Sequence, residues 1–251
     1  MLLSYPIDRM FSRQQVALKT QIADDVLGYW MREGLLVAAG GNGQERKHRR
    51  FGFVQLHVAM LLNELRDFGV SIRGLRSFAA VVQRGIEIGT PLGLSSIAIE
   101  AATITASRLH RFDAGEEVLF GCADGQKRLA RSELDVAESL RETDFDTPGE
   151  LLTVARTITP ADIAPLTLYA DLIETSHLRE ADPATGARPG AVAWLGWPHE
   201  KDNWSIVRVD ADFDQLRQPQ GMRSAIYLAV STIIHDLWSA DIAAEGNSRD
   251  A

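Results

Sequence analysis

The stretch that most constrains this chain lies near its start, where two short helical patterns meet across a tight turn and a ribbon signal follows at once. Ser12 to Leu18 reads as a helix: Ser12 is a good N-cap, Gln15 stands three residues on, and Val16 and Ala17 give a small apolar face. Ala23 to Glu33 reads as a second helix, with Ile22, Val26, Leu27 and Trp30 at helical spacing and Gly34 where a left-handed residue is wanted. After Leu35-Leu36-Val37, the pair Asn42-Gly43 is a strong turn signal, and flanking extended runs suggest a β-ribbon. The returning arm, Gln44 to Phe51, is basic.

Two further helices follow. From Val54 to Phe68 the apolar residues Leu56, Val58, Leu61, Leu62 and Leu65 recur on one face, closed by Gly69. Ser71 caps the next helix, whose stripe runs through Ile72, Leu75, Phe78, Ala79 and Val82 to about Ile88, where Gly89-Thr90-Pro91 is expected to break it. That break suggests a domain division of 5–90, 91–243 and a tail at 244–251. The later part reads as mixed: a helix over Ser95 to Leu109, a hairpin from Glu117–Gly121 and Lys127–Ala130, and a strand or helix at Leu151–Ile158. A helix over Pro160 to Leu178, a loop over Asp182–Gly190, paired strands at Ala191–Trp197 and Trp204–Val209, and a buried helix over Met222 to Ala240 complete it.

Charge is unevenly distributed. Residues 1–90 carry 12 Lys and Arg against 8 Asp and Glu, whereas the rest carries 14 against 26, within a total of −8. A modestly basic head on an acidic body suits a nucleic-acid module whose body does not stick to phosphate. A single cysteine, Cys122, excludes an intramolecular disulfide framework and a multi-thiolate metal site. The start lacks the apolar run of a secretion signal, and Ala225 to Ile234 is too short to span a bilayer, so a cytoplasmic protein with no membrane role is expected.

Two helices joined by a tight turn, with a basic hairpin behind them, have a direct physical use. The second helix can enter the major groove while the hairpin crosses an adjacent backbone and neutralises phosphates. The residues suited to this are Arg13, Lys19 and Tyr29, with Arg46, Lys47, His48, Arg49 and Arg50 in the returning arm. The same run could also be a solvated turn.

These blocks resemble the N-terminal winged helix-turn-helix domain of MerR-family transcription regulators. Val16-Ala17-Leu18-Lys19-Thr20 is similar to the first helix and turn, and Val26 through Leu36 to the recognition helix, where Leu-Arg-Tyr-Tyr precedes Gly-Leu-Leu. Arg49-Arg50-Phe51 sits where the wing shows Arg-x-Tyr, and Leu65 through Arg76 resembles the Leu-Arg-Glu-Leu-Gly-Phe-Ser-Leu run. The resemblance covers roughly residues 5–80 and implies an α+β chain: a winged helix-turn-helix followed by a mixed α+β effector or assembly domain. It also implies promoter binding as a homodimer, with an effector biasing distortion of double-stranded DNA. Two departures stand out: Gly28 replaces the arginine that precedes the aromatic pair, and Asp24-Asp25 places negative charge at the start of the helix that should meet DNA. Those carboxylates suit the helix dipole but repel phosphate, so recognition is weakened, altered or supplied mostly by Tyr29 and the wing.

Other features carry less. Glu174, His177 and Glu180 could share a helix face, but no fourth ligand is indicated and a solvated face explains them. Gly40 to Gly43 lacks the Lys-Ser/Thr ending of a phosphate loop. Trp194, Trp197, Trp204, Trp238, Tyr169 and Tyr227 suit core packing more readily than an aromatic-lined ligand pocket. No catalytic residue, metal site or cofactor is expected, and a non-enzymatic regulator follows. The competing reading is a protein-interaction module on the same scaffold, engaging a partner through Asp24, Asp25 and the acidic body.

Overall fold

A computed structural model of the chain describes residues 9–39, 49–121, 127–138, 145–174, 192–198, 204–209 and 225–247. In chain order the elements are β1 (Phe11–Ser12), α1 (Arg13–Thr20), α2 (Asp24–Arg32), β2 (Arg50–Phe51), α3 (Phe53–Asp67) and α4 (Ile72–Leu92). Then come α5 (Ser96–Asp113), β3 (Leu119–Gly121), β4 (Lys127–Leu129), α6 (Glu133–Glu138), α7 (Pro148–Ala155) and α8 (Pro160–Ile173). The chain closes with β5 (Ala193–Pro198), β6 (Trp204–Val209), β7 (Ile226–Leu228) and α9 (Val230–Asn247). The fold is α+β, as the sequence suggests. Two compact units form: residues Met1–Gln83 with Thr175–Ala251, and Arg84–Glu174.

In the first unit the local signals act where they are written. Gln15 donates its backbone N–H to Ser12 Oγ at 3.2 Å while Ser12 N–H reaches Gln15 Oε1 at 2.8 Å, a complete capping box on α1. Gly34, at φ +75°, ends α2 and lets Leu35 N–H bond Trp30 O at 2.9 Å. Ser71 Oγ caps α4 through Gly74 N–H at 3.2 Å. The returning ribbon arm pairs not only with Ala39 but with the residues before α1: Arg50 lies opposite Ser12 and Phe51 opposite Phe11. Phe11, Leu27, Trp30, Leu35, Phe51 and Leu62 fill the core beneath these elements.

The later chain adds a three-stranded antiparallel sheet, ordered β6-β5-β7, to the same unit. Trp194 on β5 stacks at 6.1 Å from Phe78 of α4, and Ala193, Leu195 and Trp197 on the alternate face cluster with Val209. Trp194, Trp197 and Trp238 are thus core residues, while Tyr227 is exposed. The long helix expected over Met222 to Ala240 is corrected here: Ile226–Leu228 is a strand on the edge of β5, and the helix runs from Val230 to Asn247. A β-branched and aromatic triplet finds a paired edge, which outweighs its apolar helical reading. The expected tail is accordingly helical as far as Asn247.

The second unit packs α5 against α7 and α8, with α6 on α7. Its share of α4 overturns the expected break: the helix passes through Gly89-Thr90-Pro91 to Leu92, and Gly93, at φ +62°, supplies the stop. A Cβ on Gly85 would run into the Pro165 carbonyl, and one on Gly89 into the Tyr169 ring, so these glycines serve close helix packing on α8. A boundary at residue 90 therefore falls inside a helix, and residues 175–251 pack with 1–83 instead of forming a body with 91–174. Leu151–Ile158 resolves as helix α7, capped by Thr147, plus its exit turn. The expected hairpin is present as β3 and β4.

Candidate nucleic-acid interface

Helix α2 is two-faced. Leu27, Trp30 and Met31 are buried, which turns Asp24, Asp25, Gly28, Tyr29 and Arg32 outward or toward the rim. The Arg32 guanidinium lies 5.8 Å from the Tyr29 ring centroid, a spacing for a cation–π contact that props both side chains on the exposed face. At the other end of α2, Arg76 of α4 forms an ion pair with Glu33, fixing how the helix leaves the core.

Arg13, the first residue of α1, reaches across to α2. Its Nη2 donates to Asp24 Oδ2 at 2.5 Å, with both side chains about half exposed. A Cβ placed on Gly28 would lie 3.5 Å from Arg13 Nη1 and 3.8 Å from Arg32 Nη1. Where the resemblance leads one to look for an arginine at residue 28, two guanidiniums converge from α1 and from the next turn of α2. Arg50, exposed on β2, sits across from Ser12, the α1 cap.

The structure therefore brings Arg13 to Gly28, next to Tyr29, places Arg50 opposite the α1 cap, and adds Arg32, which sequence reasoning missed. The signal was available: Arg32 is three residues after Tyr29 and four after Gly28, hence on their face. The remaining expected residues stand differently. Lys19 Nζ lies 4.7 Å over the Trp238 ring, Arg49 is part-buried and engaged within the molecule, and Arg46, Lys47 and His48 lie outside the described residues. The ribbon's root is held by a paired amide: Gln55 Oε1 accepts Val37 N–H at 3.1 Å, and Gln83 Nε2 donates to Leu35 O at 2.9 Å.

A groove of about 400 Å³ flanks the same helix, lined by Asp25, Val26, Tyr29, Trp30, Arg66, Val70, Ile72 and Leu75. Arg66 sits 5.9 Å from the Trp30 ring, another cation beside α2. Elsewhere, Glu174 accepts from Ser96 Oγ at 2.7 Å, while His177, Glu180 and Cys122 lie outside the described residues. No helix among the described residues is long and apolar enough to cross a membrane.

Two helices across a tight turn, backed by a paired strand root and presenting arginines and a tyrosine, define a winged helix-turn-helix domain. Residues 11–80 match the family model described as MerR HTH family regulatory protein, so this N-terminal stretch is similar to the helix-turn-helix domain of that family. Comparisons with curated proteins and with solved structures give no match.

Proposed function

We propose that this protein is a cytoplasmic transcription regulator that binds promoter DNA as a homodimer, inserting α2 into the major groove and laying the ribbon on the adjacent backbone. The single observation that carries this is the convergence of Arg13 and Arg32 on Gly28, with Tyr29 beside Arg32, within a stretch matching the MerR HTH family model. Lys19, Arg46, Lys47, His48 and Arg49 complete the proposed contact set, and the unit Arg84–Glu174 is the proposed effector or assembly part. Phosphate contacts give affinity that falls with salt, each one steepening the logarithmic slope by roughly 0.9. The test is retention of duplex fragments by the purified full chain across a salt series, against Arg49→Ala/Arg50→Ala. Salt-independent binding, or no loss in the variant, defeats the reading.

One observation favours the alternative of a protein-interaction module: Asp24 neutralises Arg13 and Asp25 is exposed beside it, so the first turn of α2 is acidic. A stoichiometric protein partner recovered with the chain, together with no DNA retained at low salt, would select that reading.

A further inference from the structure

We propose that Asp24 is a positioning residue which fixes the Arg13 guanidinium beside Gly28, making Arg13 a reader of base edges instead of a phosphate clamp. This inference rests on the DNA-binding reading. The sequence presents Asp24 as a repulsive charge at the helix that meets DNA, but the geometry gives it a partner. Arg13 Nη2 is committed to Asp24 Oδ2 at 2.5 Å, and the pair links the first residue of α1 to the first residue of α2. The guanidinium is planar, so holding one nitrogen orients the remaining donors. Nη1 lies 3.5 Å from where a Cβ on Gly28 would stand, with the exposed Arg32 Nη1 flanking the same point at 3.8 Å.

Two consequences separate this arrangement from a phosphate contact. The pair is close to neutral as a unit, so it attracts a polyanion weakly and releases few counterions. An oriented fork beside a glycine can instead approach a base edge closely, and bidentate arginine contact with guanine discriminates by about 1–3 kcal/mol against the wrong base. Gly28 has a role in this scheme: the missing side chain leaves room for the base edge, at the expense of helix propensity.

The experiment uses the full chain and two duplexes of about 30 base pairs, long enough for two half-sites. One is selected by the wild-type protein from a randomised pool and the other is a scrambled duplex of equal composition. Asp24→Ala and Arg13→Ala should each lower the preference for the selected duplex about tenfold, and the double variant should lose no more than Arg13→Ala alone. The salt slope should be unchanged in the double variant, unchanged or shallower in Arg13→Ala, which leaves the Asp24 carboxylate unpaired, and unchanged or steeper in Asp24→Ala, where the released arginine can meet a phosphate. Gly28→Ala should raise the melting temperature yet weaken the preference, which misfolding does not produce. Preference retained in Asp24→Ala, or a slope lowered by about 0.9 in the double variant without loss of preference, overturns the proposal. If the wild-type chain retains neither duplex, the DNA-binding reading falls and this inference with it.

Discussion

Trp238 donates its indole N–H to Nε2 of His57 at 2.8 Å, joining two residues that stand 181 positions apart. The bond requires Nε2 to be an acceptor, so the ring proton is assigned to Nδ1. Both side chains are buried, their rings meet edge to face at 6.0 Å, and Phe11 and Lys19 pack on the same indole. Helix α9 is in this way part of the packing of the helix-turn-helix domain, although it comes from late in the chain.

Replacing Trp238 by Phe keeps most of the apolar area but strands His57 Nε2 in the core. The expected loss is about 1–3 kcal/mol, visible as a lower urea midpoint at unchanged slope. Trp238→Phe combined with His57→Leu should recover part of that loss, because the stranded Nε2 acceptor is then removed. A single variant as stable as wild type would mean that the bond has no net worth.

Gly85 gives a second test, in the other unit. Alanine in an exposed helix interior normally stabilises by about 0.5–1 kcal/mol over glycine. Here the added methyl meets the backbone carbonyl of Pro165, which cannot rotate away as a side-chain end can. Gly85→Ala should therefore destabilise by about 1–3 kcal/mol despite its better propensity. Thermal melts of the two alanine variants, at Gly85 and Gly28, should move in opposite directions.

The contrast between those glycines marks how far the sequence could be read. Ser12, Gly34, Gly69 and Ser71 announced the ends of α1 to α4 correctly because caps and left-handed stops act within a few residues. Gly89-Thr90-Pro91 misled because its glycine answers to Tyr169, a contact 80 residues away, and its proline stands only one residue before the helix ends at Leu92. Ile226 to Leu228 was ambiguous for the same reason: three apolar residues fit either period until β5 supplies an edge. At the site, Tyr29 and Arg50 were legible from residue type and motif. The tie between Arg13 and Asp24 was not, since it spans eleven residues and two helices. It needed the angle of the turn, which Gln21 sets at φ +55°.

Acidification should weaken the second unit by a defined route. Asp113 is held below the ordinary carboxylate range by its hydrogen bond from Arg156 and then by the Arg156 charge, and Glu133 shares the same guanidinium. Asp135 is lowered by backbone N–H groups of Arg131 and Ser132 at the α6 cap. A depressed folded value means that the stabilisation is complete above the unfolded value of about 3.9 and disappears as pH falls through the folded one. Asp113→Asn should thus melt below wild type at neutral pH, by a small margin because the ion pair is exposed. Circular-dichroism melts of the two proteins should converge once the pH lies below both values, and a gap that persists there would remove the carboxylate from the explanation.

Arg32 is the exposed cation that the structure adds beside Tyr29, and its substitution tests whether the exposed face of α2 meets DNA at all. The side chain is exposed, and its guanidinium lies 5.8 Å from the Tyr29 ring, so it joins charge to a stacked, planar donor set. Arg32→Ala should remove one neutralised phosphate and flatten the logarithmic salt slope by roughly 0.9, with little change in thermal stability. Arg32→Lys separates the two properties, since lysine keeps the charge but neither the fork nor the stacking geometry. A lysine variant with the wild-type slope would assign Arg32 to the phosphate backbone. A lysine variant that keeps the slope but loses preference for the selected duplex would assign it to base edges beside Arg13. If neither substitution alters slope, affinity or preference, α2 does not face the duplex and the acidic first turn becomes the better guide to its partner.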